Sequence, residues 1–125
     1  MNKLKMQTSL GTIERDDQGV LILSIEANRI SLKELDDNYL ALKKLIDKEL
    51  ACGIIDAAFF ERVSRVDLPA INKCFPRIYR VLAIVSPSLM SRTRAFFKTY
   101  KLRKKMPLWY FRSEKDARNW LQKFL

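Results

Sequence analysis

The side chains able to do chemistry in this chain are carboxylates, two thiols and a surplus of cations, because histidine is absent. Without an imidazole there is no Ser-His-Asp triad, no His-assisted cysteine nucleophile, no His-ligated zinc and no His-bound haem. Two carboxylate pairs remain, Asp16 with Asp17 and Asp36 with Asp37. The first falls in a turn-forming cluster. The second consists of sequence neighbours that do not face each other on a helix, so neither pair makes an acid–base or metal dyad. Cys52 and Cys74 have no Cys-x-x-Cys partner and suit small buried hydrophobes in a reducing compartment, with a disulfide or a reactive thiol as the alternative. These residues assign no catalytic, cofactor-binding or metal-binding group, and an enzyme is the class they support least.

Two regions stay open as interaction sites. Asp56 ends a short apolar strand candidate, where α/β domains put ligand-facing residues; a hydrogen-bonded cap on the neighbouring loop is the simpler reading. Ser64 and Asp67 follow in the loop and helix start after that strand. The second region runs from Arg92 to Arg112 and interleaves Arg94, Lys98, Lys101, Arg103, Lys104 and Lys105 with Phe97, Tyr100, Trp109 and Tyr110. Cations beside rings suit single-stranded nucleic acid, charge following phosphates and rings stacking on bases. Helix and strand burial accounts for the same rings, however, and charge alone gives weak, salt-sensitive binding.

The elements that must position these residues follow from period and punctuation. Thr12 to Arg15 and Val20 to Glu26 flank Asp16-Asp17-Gln18-Gly19 and predict a hairpin. Ser31-Leu32-Lys33-Glu34 is a capping box, opening a helix whose stripe is Leu32, Leu35, Tyr39, Leu42 and Ile46; Lys33, Asp37, Lys44 and Lys48 lie on its wet side. Gly53 punctuates after that helix, and Ile54 to Phe59 is the third strand. Glu61 to Asp67 reads as a loop, with Asp67 capping a short helix that has Pro69 in its first turn. Arg80 to Val85 is an aliphatic strand suited to a sheet centre. Ser86-Pro87 starts a helix that buries Leu89, Thr93, Phe96, Phe97 and Tyr100 and ends near Lys101, leaving Arg94, Lys98 and Lys101 on one exposed face. Leu108 to Phe111 is the last strand. Ser113, with Asp116 three residues on, caps a final helix carrying Ala117, Trp120, Leu121 and Phe124, and both Trp109 and Trp120 read as core.

The expected fold class is α/β: an opening antiparallel hairpin, then strand–helix units forming a mostly parallel (mixed) five-stranded sheet with about four helices. With crossovers all stepping the same way, the helices collect on one face. The chain is one domain at 125 residues, residues 12–125, preceded by an N-terminal tail or strand extension at residues 1–11. Its longest aliphatic run, Val81 to Val85, is far short of a membrane span, and no signal peptide is evident, so the expected compartment is the cytoplasm. The net charge of +10 is lopsided: residues 1–76 hold 11 Lys/Arg against 12 Asp/Glu, whereas residues 77–125 hold 13 against Glu114 and Asp116 alone. Such a basic half suits a polyanionic partner (nucleic acid, an anionic membrane surface or an acidic protein), or simply a solvated face.

That element order, with Asp17-Gln18-Gly19-Val20-Leu21 in the hairpin, Ile30-Ser31-Leu32 at the first helix and Phe111-Arg112-Ser113-Glu114, Ala117 and Trp120-Leu121 at the end, resembles the small bacterial SpoIIAA-like proteins of the STAS/CRAL-TRIO superfold, and most of all short STAS-like proteins. The resemblance covers nearly the whole chain from Thr12 onward. It implies a non-enzymatic module, since STAS domains act largely by docking on other proteins and CRAL-TRIO domains bind lipids. Anti-sigma-factor antagonists of this kind carry a phosphorylated serine at a helix start after the central strand. The matching stretch here is Asp67-Leu68-Pro69-Ala70-Ile71, and the acceptor position falls on Pro69, which has no hydroxyl; Ser64 is the nearby alternative. The readings are therefore a protein-interaction or regulatory module working with an unknown protein partner or by self-association, a binder of lipid or another apolar ligand, and a binder of nucleic acid or an anionic surface through the basic half.

Overall fold

The computed structural model of the chain is described over residues 4–46 and 49–125. Six strands form one sheet in sequential order: β1 (Leu4–Gln7), β2 (Gly11–Arg15), β3 (Leu21–Ile25), β4 (Ala51–Asp56), β5 (Tyr79–Val85) and β6 (Leu108–Phe111). β1, β2 and β3 are an antiparallel meander, and β3 through β6 run parallel. The described residues form six α-helices: α1 (Leu32–Leu45), α2 (Ala58–Arg62), α3 (Leu68–Cys74), α4 (Leu89–Lys98), α5 (Tyr100–Arg103) and α6 (Glu114–Leu121). The fold is thus α/β with a mixed sheet, one strand and two helices richer than the sequence suggests. The additional strand is β1, which occupies much of the expected N-terminal extension and pairs Met6 with Ile13 at one sheet edge.

The central strands are apolar because both of their faces are covered. On one face Ile13, Leu23, Ile55, Leu82, Ile84 and Leu108 pack under helices α1 to α5. On the other, Cys52, Ile54, Val81 and Ala83 pack under Ala117 and Leu121 of α6, with Trp120 and Phe124 at the margin. The helices therefore do not all collect on one face. β6 is the last edge strand, and the chain after it turns back beneath β4 and β5.

The opening hairpin forms as expected: Asp16 Oδ1 accepts from the Gln18 and Val20 amides at 2.9 and 3.0 Å, and Gly19 takes a φ of 81°. Ser113 caps α6 by accepting from the Asp116 amide at 3.2 Å. At α1, Ser31 instead donates its hydroxyl to the Glu34 carboxylate and makes no side-chain bond to the helix backbone, so the serine half of the expected capping box is not formed. Lys48, placed on the wet side of that helix, lies outside the described residues.

Several boundaries move. Gly53 is inside β4 rather than a helix terminator; a Cβ there would stand 2.2 Å from a Tyr79 ring carbon, so the ring lies in space only glycine leaves. β4 ends at Asp56, and Phe59 and Phe60 belong to α2, in what reads from sequence as strand and loop. The N-cap of α4 is Ser88, accepting from Ser91; Ser86 sits two residues earlier and accepts from the Ser88 amide. The helix expected to run to Lys101 breaks at Thr99, whose hydroxyl donates to Ala95 O at 2.7 Å, and α5 resumes as one short turn.

Candidate functional site

In the loop region after β4 the three candidate residues flank different short helices. Asp56 is exposed, and its Oδ1 accepts from the Ala58 amide at 2.9 Å, an Asx-type turn leading into α2, whose N-cap is Ala57. Ser64 and Asp67 lie beyond the other end of α2. Ser64 precedes a single 3-10 turn, Arg65–Asp67, and its hydroxyl makes no capping bond. Asp67 does not cap α3: its backbone is already helical at φ −95°, ψ −7°, from which the side chain does not reach forward to free amides, and Pro69 occupies the first turn. Among the described residues, no three His, Cys, Asp or Glu side chains gather as a metal site. Burial pushes the Cys52 thiol up, away from the reactive thiolate form.

The basic stretch resolves into cations that hold the fold and cations that remain available. Lys98 Nζ donates to Phe60 O and Val63 O, both at 2.8 Å, tying α4 to the end of α2. Desolvation there, reinforced by the nearby Arg65 charge and opposed by Glu61, holds its ammonium below the usual lysine range. Lys105 Nζ donates to Asn72 O at 2.9 Å near the C-terminus of α3, where a cation also complements the helix dipole. Arg94 pairs with Glu61 at 3.3 Å. Arg103 donates to Phe96 O at 2.6 Å and to the Tyr110 hydroxyl, with its guanidinium 3.9 Å from the centre of the Phe96 ring. Lys101 and Lys104 are exposed; the described residues give neither a carboxylate, and Lys104 lies over the Tyr100 ring at 5.1 Å.

The larger correction concerns the rings. The sequence places Leu89, Thr93, Phe96, Phe97 and Tyr100 on the buried face of α4, and the structure turns that face outward. Leu89 is 69% exposed, Phe97 70% and Trp109 51%, and Met90, Phe96 and Tyr100 are exposed as well. What α4 and α5 bury is narrow: Ala95, Thr99 and Leu102. Small residues on that side let the helix settle against β5, β6 and α2. Phe96 then bridges outward, with its ring centre 5.7 Å from Phe97, 6.4 Å from Trp109 and 5.5 Å from Tyr110. Trp109 is therefore surface rather than core, and it stands on the open edge strand β6. Beside this patch an open groove of about 580 Å³ separates α4 and α5 from the start of α3, with Arg65, Lys98 and Lys101 on its walls and Phe97 and Tyr100 at its rim.

The sequence places these cations in one stretch, and the structure gives them surroundings other than those expected. The available signal was the width of the α4 stripe. Successive residues 100° apart place Leu89, Met90, Phe96, Phe97 and Tyr100 over roughly a third of the circumference, while Ala95, Thr99 and Leu102 make a second, smaller face. Periodicity shows both faces and does not rank them. Arg65, on the opposite groove wall, carried no sequence signal.

A third location bears on apolar ligands. Between α1 and α3 a cavity of about 20 Å³ is lined by Leu35, Tyr39, Leu42, Ile71, Cys74 and Phe75. That is room for about one water molecule and not for a lipid chain.

No family model, curated protein or solved structure gives a significant match to this chain. Among the described residues, no helix is long and apolar enough to cross a membrane.

Proposed function

We propose that the protein is a non-enzymatic, STAS-like binding module of the cytoplasm, and that it meets its partner through the outward face of α4 together with Trp109. One observation carries this reading: an apolar helix face is left in water although the fold has no use for it as core. The sequential sheet, a hairpin opening into parallel strands with α6 on the reverse side, supports the SpoIIAA-like assignment of the scaffold. The cavity between α1 and α3 favours surface contact over an enclosed apolar ligand.

Site-specific photo-crosslinking in cells that produce the protein tests this. A photoreactive amino acid replacing Phe97 should form adducts. One replacing Ser24, exposed on β3 far from α4 in the sheet order, should not. No adducts at position 97, or equal adducts at both positions, would refute the contact face.

A further inference from the structure

We propose that the partner of this face is an anionic phospholipid bilayer, on which α4 lies in the interfacial plane; the inference rests on the contact face argued above. A helix that binds a membrane surface carries bulky apolar residues on one side and Lys or Arg along its flanks. α4 has that arrangement, pointing away from its own protein. Leu89, Met90, Phe96 and Phe97 form the apolar strip. Arg94, paired with Glu61, and Lys101 of α5 border it, and Arg103 lies against it with its guanidinium 3.9 Å from the centre of the Phe96 ring. Trp109 and Tyr100 stand beside the strip, half exposed. Rings of that amphipathic kind favour the headgroup level of a bilayer.

Charge decides among the possible occupants. From Ser86 to Arg112 the chain holds eight Lys/Arg and no Asp or Glu. A second copy docking on the same face would bring cations against cations, so the face is poorly suited to self-association. An anionic surface is complementary to the net positive charge of this face, above all at Lys101 and Lys104, which have no carboxylate partner among the described residues. In the groove beside the apolar strip, Arg65 and Lys101 can receive a phosphate headgroup, while Lys98 stays tied to the Phe60 and Val63 carbonyls. Nucleic acid would use the cations equally well, but Leu89 and Met90 offer bases nothing to stack on, and the Phe96 ring meets Phe97 and Trp109 edge to face. An amphipathic peptide needs a concave apolar groove, and the groove beside the strip has Arg65, Lys98 and Lys101 on its walls while Leu89 and Met90 lie outside it.

The test uses the full chain and vesicles of phosphatidylcholine, alone or mixed with phosphatidylglycerol. The protein should sediment with mixed vesicles and not with phosphatidylcholine alone, and binding should weaken as salt is raised. In a Trp120→Phe background, Trp109 emission should shift to the blue on binding. Each available cation near an anionic surface contributes roughly fivefold in affinity, so Lys101→Ala with Lys104→Ala should weaken binding by more than about tenfold. Leu89→Ser with Phe97→Ser should abolish the blue shift while far-ultraviolet circular dichroism stays unchanged, since neither side chain is core. Absence of binding to mixed vesicles, equal binding to both compositions, or tighter binding to a single-stranded oligonucleotide would overturn the proposal. Phe97 adducts to a protein together with no vesicle binding would overturn the lipid assignment and leave the contact face standing. Loss of both would overturn both.

Discussion

The outward orientation of α4 can be tested on the isolated protein by truncating two phenylalanines that sequence alone would treat alike. Phe60 on α2 is 0% exposed, with its ring 5.0 Å from Phe59 and 6.4 Å from Phe75. Phe97 on α4 is 70% exposed. Replacing a buried phenylalanine by alanine costs about 3–5 kcal/mol, through lost transfer energy and the cavity left behind. At Phe97 only the covered third of the ring is lost, about 0.5–1 kcal/mol of a full burial worth about 1.5–3. The better helix propensity of alanine returns roughly half a kcal/mol of that. Phe97→Ala should therefore sit within about 0.5 kcal/mol of the parent, and Phe60→Ala several kcal/mol below it. For a chain of this length a kcal/mol is roughly 3–5 °C in Tm. Thermal melts should move by less than about 3 °C for Phe97→Ala and by more than about 10 °C for Phe60→Ala. A loss above about 2 kcal/mol at Phe97 would refute the orientation. A Tm that rises with protein concentration in the parent and not in Phe97→Ala would keep the orientation and show instead that a second copy covers the face.

Three further outcomes follow from the core and the caps. The Tyr79 hydroxyl is buried with no hydrogen-bond partner among the described residues, so Tyr79→Phe should raise stability by about 1 kcal/mol in urea unfolding. Burial also pushes the Tyr79 phenol up, so above its ordinary value of 10.0 the unfolded chain releases a proton that the folded one retains. The parent should then lose up to about 1.4 kcal/mol per pH unit relative to Tyr79→Phe, and a gap that stays constant between neutral and alkaline pH would contradict the burial. Gly53→Ala forces a Cβ to within 2.2 Å of the Tyr79 ring and should cost about 1–3 kcal/mol, read as a lowered urea midpoint; an unchanged midpoint would show that the ring can move aside. Ser113→Ala should cost about 1 kcal/mol by removing the cap on α6, whereas Asp67→Ala, which removes no capping bond, should stay within about 0.5; equal losses would contradict the two geometries.

How much of this was legible in the sequence depended on whether a segment has one environment or two. β5 was legible because both of its faces are covered, so Val81 to Val85 is aliphatic throughout. The Asp16–Gly19 turn and the Ser113 cap were legible because each is a local hydrogen-bond pattern that needs nothing distant. β1 was legible only as one of two options, tail or strand extension, since an edge strand with Leu4, Lys5 and Gln7 exposed has no alternation to detect. α2 was hidden because five residues are less than two turns, and both Phe59 and Phe60 are buried side by side, which hides any helical period. Gly53 was misread because glycine ends helices and also admits rings inside strands, and only Tyr79, far along the chain, distinguishes the two. At the candidate site, the positions of the cations were legible and their employment was not. Lys98 and Lys105 spend their ammonium groups on carbonyls contributed by α2 and α3, which no local pattern announces.

The orientation of α4 is also what separates function from fold in this half of the protein. An ordinary surface helix turns its apolar side inward and its charged side to water. α4 reverses the first half of that rule and keeps the second, so the reversal is not a general weakness of the sequence. It remains anchored because Ala95 and Thr99, with Leu102 of α5, fit the sheet and because Lys98 ties it to α2; none of those contacts uses Leu89, Met90 or Phe97. Serine or lysine at these three positions would leave the same helix in the same place and remove an aggregation hazard. A local choice that conflicts with solubility and adds nothing to packing is the inconsistency on which the proposed contact face rests. The eight Lys/Arg of residues 86–112, with no Asp or Glu among them, oppose that hazard because like charges on two copies repel.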